Sequence, residues 1–163
     1  MNKKANTMIS TLKESFAKSF YFALLRWRDL LDRVMNALQA PAALFARLYV
    51  AQVFFASGLT KLRDWDITLA LFTDEYHVPL LPPGLAAIMG TAGEIGLPVL
   101  LVLGLGGRFA PLGLCVVNVV AVLSLAEIAP AALQQHVTWG VLLAGLAIFG
   151  TGRWTLDSLL KAK

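Results

Sequence analysis

The chain has 163 residues, 58% hydrophobic and 15% charged, against roughly 45–50% and about 25% in an ordinary soluble domain. So apolar a composition excludes a single water-facing globule, and a mean hydropathy of +0.69 points to a bilayer as the solvent. The lone Cys115 excludes an internal disulfide, a CxxC redox pair and a cysteine-cluster metal site, and the net charge of +4 reads as membrane flanks, not as a nucleic-acid groove.

The first segment is amphipathic. From Ile9 and Leu12 through Phe16, Phe20, Leu24, Trp27, Leu31, Val34 and Leu38, apolar residues step by threes and fours along one helical stripe. Lys13, Lys18, Arg28, Asp29, Asp32 and Arg33 interrupt it, making it too charged to cross a bilayer but suited to its surface. Residues 1–40 are therefore expected to form an amphipathic membrane-surface helix. Lys3 and Lys4 are not followed by a continuous apolar run with a small-residue cleavage site, so a cleaved signal is not expected.

Four long apolar stretches follow, at 41–62, 84–105, 108–128 and 131–150, each close to the ~20 residues a helix needs to cross roughly 30 Å of hydrocarbon. The expected fold is all-α: a four-helix transmembrane bundle over 41–155, with a short tail at 156–163. Pro41, Pro111 and Pro130 fall where helices are expected to begin, positions whose missing N–H has no helical partner anyway. Between the first two spans, the apolar run Ile67–Phe72 suggests a short helix over the mouth of the bundle.

Basic residues orient the chain. Lys and Arg gather before the first span, at Arg108 and in the tail with Arg153, Lys161 and Lys163, whereas the loop from Lys61 to Pro83 carries Asp64, Asp66, Asp74 and Glu75. By the positive-inside rule both termini are expected in the cytoplasm of a cell with an inner membrane.

Ionisable groups within spans are expensive and so are candidates for function. Glu94 lies mid-span, and Pro98, four residues on, cannot donate to its carbonyl. Arg47 is placed to meet Glu94 or to snorkel outward. Lys61 and Glu127 lie at the outer boundary, and His136, with its near-neutral reference pKa, shares a helix face with Trp139. Together these residues suggest a pocket in the outer half of the bundle, with Arg47 and Glu94 as its polar floor. Each also has a plainer reading: a structural Arg47–Glu94 ion pair, a helix-bonding His136, solvated boundary charges at Lys61 and Glu127. Asn118 reads as interhelical glue. His77 with Asp74 and Glu75 has no recognised metal spacing, and no bound metal is expected.

From Arg47, the stretches RLYVAQVFFASGLTKL, VPLLPPGLAAIMGTAGEIGLPVLLVLGLGGRF, HVTWG and GRWTLD resemble the DoxX family of small bacterial membrane proteins, over about residues 44–158. Arg47, Gly58, Lys61, Glu94, Gly104, Arg108, His136, Trp139 and Asp157 fall on positions that the family pattern favours. The resemblance implies the small membrane subunit of a quinone-linked oxidoreductase or detoxification complex. Glu94 and His136 would then be catalytic, and Arg47, Lys61, Glu127 and Trp139 would bind the quinone-like molecule. No haem, flavin or cluster motif is present to store electrons, so a redox partner is implied. Other readings are a non-enzymatic accessory protein, including one beside a metal-binding modified-peptide system, and a small transport component that would need a homo-oligomer. Membrane lipids are expected partners, and nucleic acid is not.

Overall fold

The computed structural model describes residues 3–161; the side chains of residues 1–12, 14, 15, 17 and 161–163 lie outside it, and with them the expected start of the stripe at Ile9 and Leu12 and the cations Lys3, Lys4, Lys161 and Lys163. The described residues form six helices: α1 (Lys3–Arg63), α2 (Trp65–Asp74), α3 (Pro83–Leu103), α4 (Phe109–Leu123), α5 (Pro130–Phe149) and α6 (Leu156–Lys161). By contacts, the chain divides into a unit Met1–Gln39 and a unit Ala40–Lys163.

The fold is all-α, as composition and periodicity indicate, but two boundaries differ from expectation. Pro41 does not open a helix: it lies inside α1. Its ring removes one hydrogen bond, to the carbonyl of Ala37, while the apolar residues on either side keep the same period. The third span is shorter than the expected 108–128, because α4 ends at Leu123, with Ser124 donating its backbone N–H to the Val120 carbonyl as a cap. At 15 residues it is about 22 Å long, whereas α1, α3 and α5 each contain a window long and apolar enough to cross a membrane.

Within the second unit the last part of α1, α3, α4 and α5 make the four-helix bundle. Gly58 of α1 faces Glu94 and Ile95 of α3, and Arg47 faces Leu101 and Val102, so α3 runs antiparallel to α1. Leu97 packs on Gly113, and Asn118 reaches His136, continuing the alternation through α4 and α5. In a bilayer little hydrophobic force drives helices together, and small residues let dispersion act at close range. Gly58 shows why: a Cβ there would lie 2.8 Å from Ile95 Cδ1 and 3.1 Å from Glu94 Cβ.

The core joins Val50, Ala51 and Phe54 to Leu101, Ala110, Leu114, Leu143 and Leu146. A second cluster, Phe72 with Ala86 and Ala87, seats α2 on the start of α3, with Trp65, Leu69 and Tyr76 packed against it. This is the short helix expected from Ile67–Phe72. Asp64 caps it by accepting from the N–H of Ile67 at 3.0 Å, and Thr68 Oγ1 ties it to α1 by donating to the Lys61 carbonyl at 2.8 Å. The opposite end is closed by the segment after α5, where Asp157 Oδ2 accepts from the Gly107 N–H at 2.8 Å.

Candidate functional site

Glu94 sits on the buried face of α3 with Ala87, Thr91, Pro98 and Leu101, a spacing of threes and fours that a 3.6-residue period turns toward the neighbouring helices. Its partner is Lys61. Nζ lies 2.6 Å from Glu94 Oε2 and 3.0 Å from Ser57 Oγ, and the two side chains are only 20% and 10% exposed. Ser57 and Lys61 are one turn apart on α1, so one face of that helix supplies both contacts. Gly58, between them in sequence, gives Glu94 room to approach.

Arg47 neither pairs with Glu94 nor snorkels outward. It is 2% exposed and lies fourteen residues before Lys61, about 21 Å along a helix. Its Nε donates to the Leu101 carbonyl at 2.9 Å and Nη2 to that of Val102; Nη1 donates to the carbonyls of Thr151 at 3.0 Å and Trp154 at 2.8 Å. The first two acceptors belong to the last turn of α3, which carries the negative end of the helix dipole; the Leu101 carbonyl also accepts from the Gly104 N–H, at 3.2 Å. The guanidinium therefore fastens α3 to the turn that follows α5, and the expected Arg47–Glu94 floor does not form.

His136 faces α4. Its Nδ1 is 2.8 Å from Asn118 Oδ1, while Asn118 Nδ2 donates to the His136 carbonyl at 3.0 Å. With the amide nitrogen engaged in that way, the pairing has Nδ1 carry a ring proton, and in the neutral imidazole Nε2 is then an acceptor. Asn118 is the interhelical bond expected of it. Trp139 stands edge-on to His136 at 4.9 Å between ring centroids and edge-on to Phe54 at 5.9 Å. Phe54 and Gly58 share a face of α1 four residues apart, so the His136–Trp139 cluster and the Lys61–Glu94 pair meet α1 about one turn apart.

Two buried polar atoms among the described residues have no hydrogen-bond partner, Thr91 Oγ1 and Trp139 Nε1. An unmade hydrogen bond costs about 1–3 kcal/mol in a buried setting, so each marks a place where a further polar group would be stabilised. Thr91 lies three residues before Glu94, a spacing that could have been read from the sequence. Tyr76, after α2, was not legible in that way. Its ring packs edge-on to Phe72 at 5.1 Å, and its hydroxyl pKa is pushed above the ordinary 10.0 by burial first, then by the charges of Glu75 and Glu94. The bond from Thr68 Oγ1 to the Lys61 carbonyl places α2 next to the ion pair.

Glu127 is exposed and makes no hydrogen bond or ion pair among the described residues, and His77 Nδ1 meets only the Glu75 carbonyl, at 3.1 Å. Among the described residues no group of three His, Cys, Asp or Glu could hold a metal ion. Cys115 is half-buried against the apolar core.

A family model for DoxX matches residues 42–127, more than half of the chain and all of the segment from Arg47 to Asn118. No match is found among curated proteins or among solved structures.

Proposed function

The chain belongs to the DoxX family and is a multi-pass membrane protein, and on that premise we propose that it binds a quinone, or a similarly flat amphipathic molecule, as the membrane subunit of an oxidoreductase. The observation that carries this reading is the Lys61–Glu94 pair at 2.6 Å, largely buried in an apolar bundle, beside polar atoms that the chain leaves unpartnered. Burying a charged pair is seldom the most stable solution available to a fold, since apolar residues of like volume often do as well or better. Its presence in a short apolar chain supports a use beyond packing.

The residues suit such a ligand. Trp139 Nε1 and Thr91 Oγ1 can donate to carbonyl oxygens, Phe54 and Trp139 offer ring faces and edges, and His136 Nε2 can accept from a hydroxyl. A quinone supplies the capacity to take up a pair of electrons and a pair of protons. In this reading electrons come from a partner subunit that oxidises its own substrate, as expected for a sequence without a haem, flavin or cluster motif. Its own part is to orient the ring and to move protons to it: Glu94 can pass to one ring oxygen a proton taken from the Lys61 ammonium, which water restores, and His136 Nε2 can take a proton from water and pass it to the other. Arg47 directs four of its five N–H donors to backbone carbonyls at the other end of the bundle, and we place it in the scaffold of this site, not at the ligand. Glu127 remains a candidate at the mouth.

In the bacterial inner membrane, the end carrying Arg108 and Arg153 would face the cytoplasm and the α2 end the outside. The test is a titration of the purified protein in mild detergent with a short-chain ubiquinone analogue, followed by tryptophan quenching. Saturable quenching that weakens in Trp139→Phe, Glu94→Gln and Lys61→Met, with a lipophilic quinone found by mass spectrometry in the untreated protein, is the expected result. Non-saturable quenching, unchanged in all three variants, with phospholipid alone copurifying, would reject the site.

A further inference from the structure

We propose that residues 16–38 are a membrane-surface helix whose apolar stripe lies at the acyl–headgroup boundary of an anionic bilayer. The segment needs a partner that the chain does not provide. Phe16, Phe20, Trp27, Leu31, Val34 and Leu38 are between 43% and 78% exposed, a degree of apolar exposure that soluble surfaces rarely carry in one patch. The hydrocarbon core cannot hold them along with the span that follows. The apolar helical stretch Lys18–Arg63 has 46 residues, about 69 Å of helix against roughly 30 Å of core.

Angular placement identifies the partner. At about 100° per residue, those six side chains fall within an arc of about 60°, and Leu24, Leu30 and Met35 widen it to about 140°. Arg28 lies just beyond one edge of the widened arc, and Arg26 and Arg33 lie beyond the other. Asp29 and Asp32 lie on the far side with Lys18 and Asn36. Cations beside the apolar face and carboxylates behind it match anionic headgroups over a hydrocarbon boundary. Arg28 is 3.9 Å from both Asp29 and Asp32 in pairs whose side chains are 60–71% exposed, contacts too weak and too wet to withhold it from a phosphate.

A second copy fits less well. From Phe20 to Leu38 the stripe alternates by four and three like a heptad seam, but the seam of a coiled coil is narrow and is flanked by charges of both signs. Here the flanking positions hold Tyr21, Ala23, Leu30 and Met35, with Arg28 as the only charge.

The test uses the full chain with Cys115→Ala, reconstituted in vesicles of phosphatidylcholine with phosphatidylglycerol. Spin labels go on Phe20→Cys and Leu31→Cys in the stripe and on Asp29→Cys and Asn36→Cys behind it. Stripe labels should collide more with oxygen than with a water-soluble nickel chelate, and back labels the reverse. The contrast should shrink in phosphatidylcholine alone and in Arg26→Gln/Arg28→Gln/Arg33→Gln, which alters only exposed side chains. Stripe labels open to the nickel chelate in anionic vesicles would overturn the proposal. So would labels shielded from both reagents with spin–spin broadening, which would assign the stripe to a second copy. Equal protection with and without anionic lipid would overturn the role of the headgroups.

Discussion

Arg47 shows how a cation is kept in an apolar interior without a carboxylate. Four carbonyls converge on one guanidinium, two from the negative end of the α3 dipole and two from the turn after α5. Arg47→Ala should therefore destabilise the bundle by on the order of 3 kcal/mol, because it strips partners from several buried carbonyls at once. Arg47→Lys should recover only part of this, since one ammonium cannot span acceptors that a planar fork reaches in several directions. Thermal unfolding in detergent would check both, and a Lys variant as stable as the parent would refute the geometric argument. Tyr76 supports a pH prediction. Its folded pKa lies above 10.0, so the unfolded state loses the proton first as pH rises. The stability it contributes is complete below about pH 10 and is lost progressively above it. Tyr76→Phe should flatten that alkaline loss in unfolding measured across pH 9 to about 11.5, while absorbance titration of the folded parent should show a late-ionising phenol that the variant lacks.

At the scale of elements, the ends of the helices are set by residues whose reasons can be stated. Pro83 opens α3 at a position that needs no N–H, and Gly104 closes it in the left-handed conformation, φ 66°. That turn also receives Thr155 from the closing segment: a Cβ on Gly104 would lie 2.5 Å from Thr155 Cβ. Gly104→Ala should thus cost more than backbone strain alone, about 2 kcal/mol or more, and Gly104→Ala with Thr155→Gly should regain part of the loss in the same unfolding assay. The helical pattern, the α2 segment and the starts at Pro111 and Pro130 were readable as local signals. The end of α4 was not: hydropathy continues past Leu123 into Leu125 and Ile128, and the helix stops where the Ser124 carbonyl accepts from the His77 N–H at 2.8 Å, a contact between distant loops.

For the whole molecule, the division at Gln39 and Ala40 separates a helix with exposed side chains from a bundle that contains every buried group discussed above. A chain lacking residues 1–39 should keep the unfolding temperature of the parent to within about 3 °C and its quinone-analogue quenching, because neither the core nor the Lys61–Glu94 pair draws on the deleted segment. A large drop in either would show that the first unit contributes to the bundle. The bundle itself has two differently built ends. One is tied by Arg47, Gly104 and Asp157 through backbone acceptors and donors; the other holds the ion pair beneath α2 and Tyr76. A rigid base beneath a covered polar site suits a ligand-binding role, since the helices that carry Glu94 and Lys61 are fixed far from the place where chemistry would occur.

The chain's composition and apolar period determined by themselves that it folds in a bilayer as helices and roughly where the apolar ones run, though not that 1–40 and 41–62 join in the single helix α1. These follow from solvent and geometry along one dimension, since hydropathy and a 3.6-residue repeat are properties of neighbours in sequence. Which charge meets which was left open, because that depends on how each helix is turned about its axis and where it crosses the next. Close contacts such as Gly58 on Glu94 and Ile95 set those angles, turning Glu94 to Lys61 and leaving Arg47 to backbone carbonyls that no residue letter records. The tertiary structure alone decided the pairing, because its acceptors and its distances exist only once the helices pack.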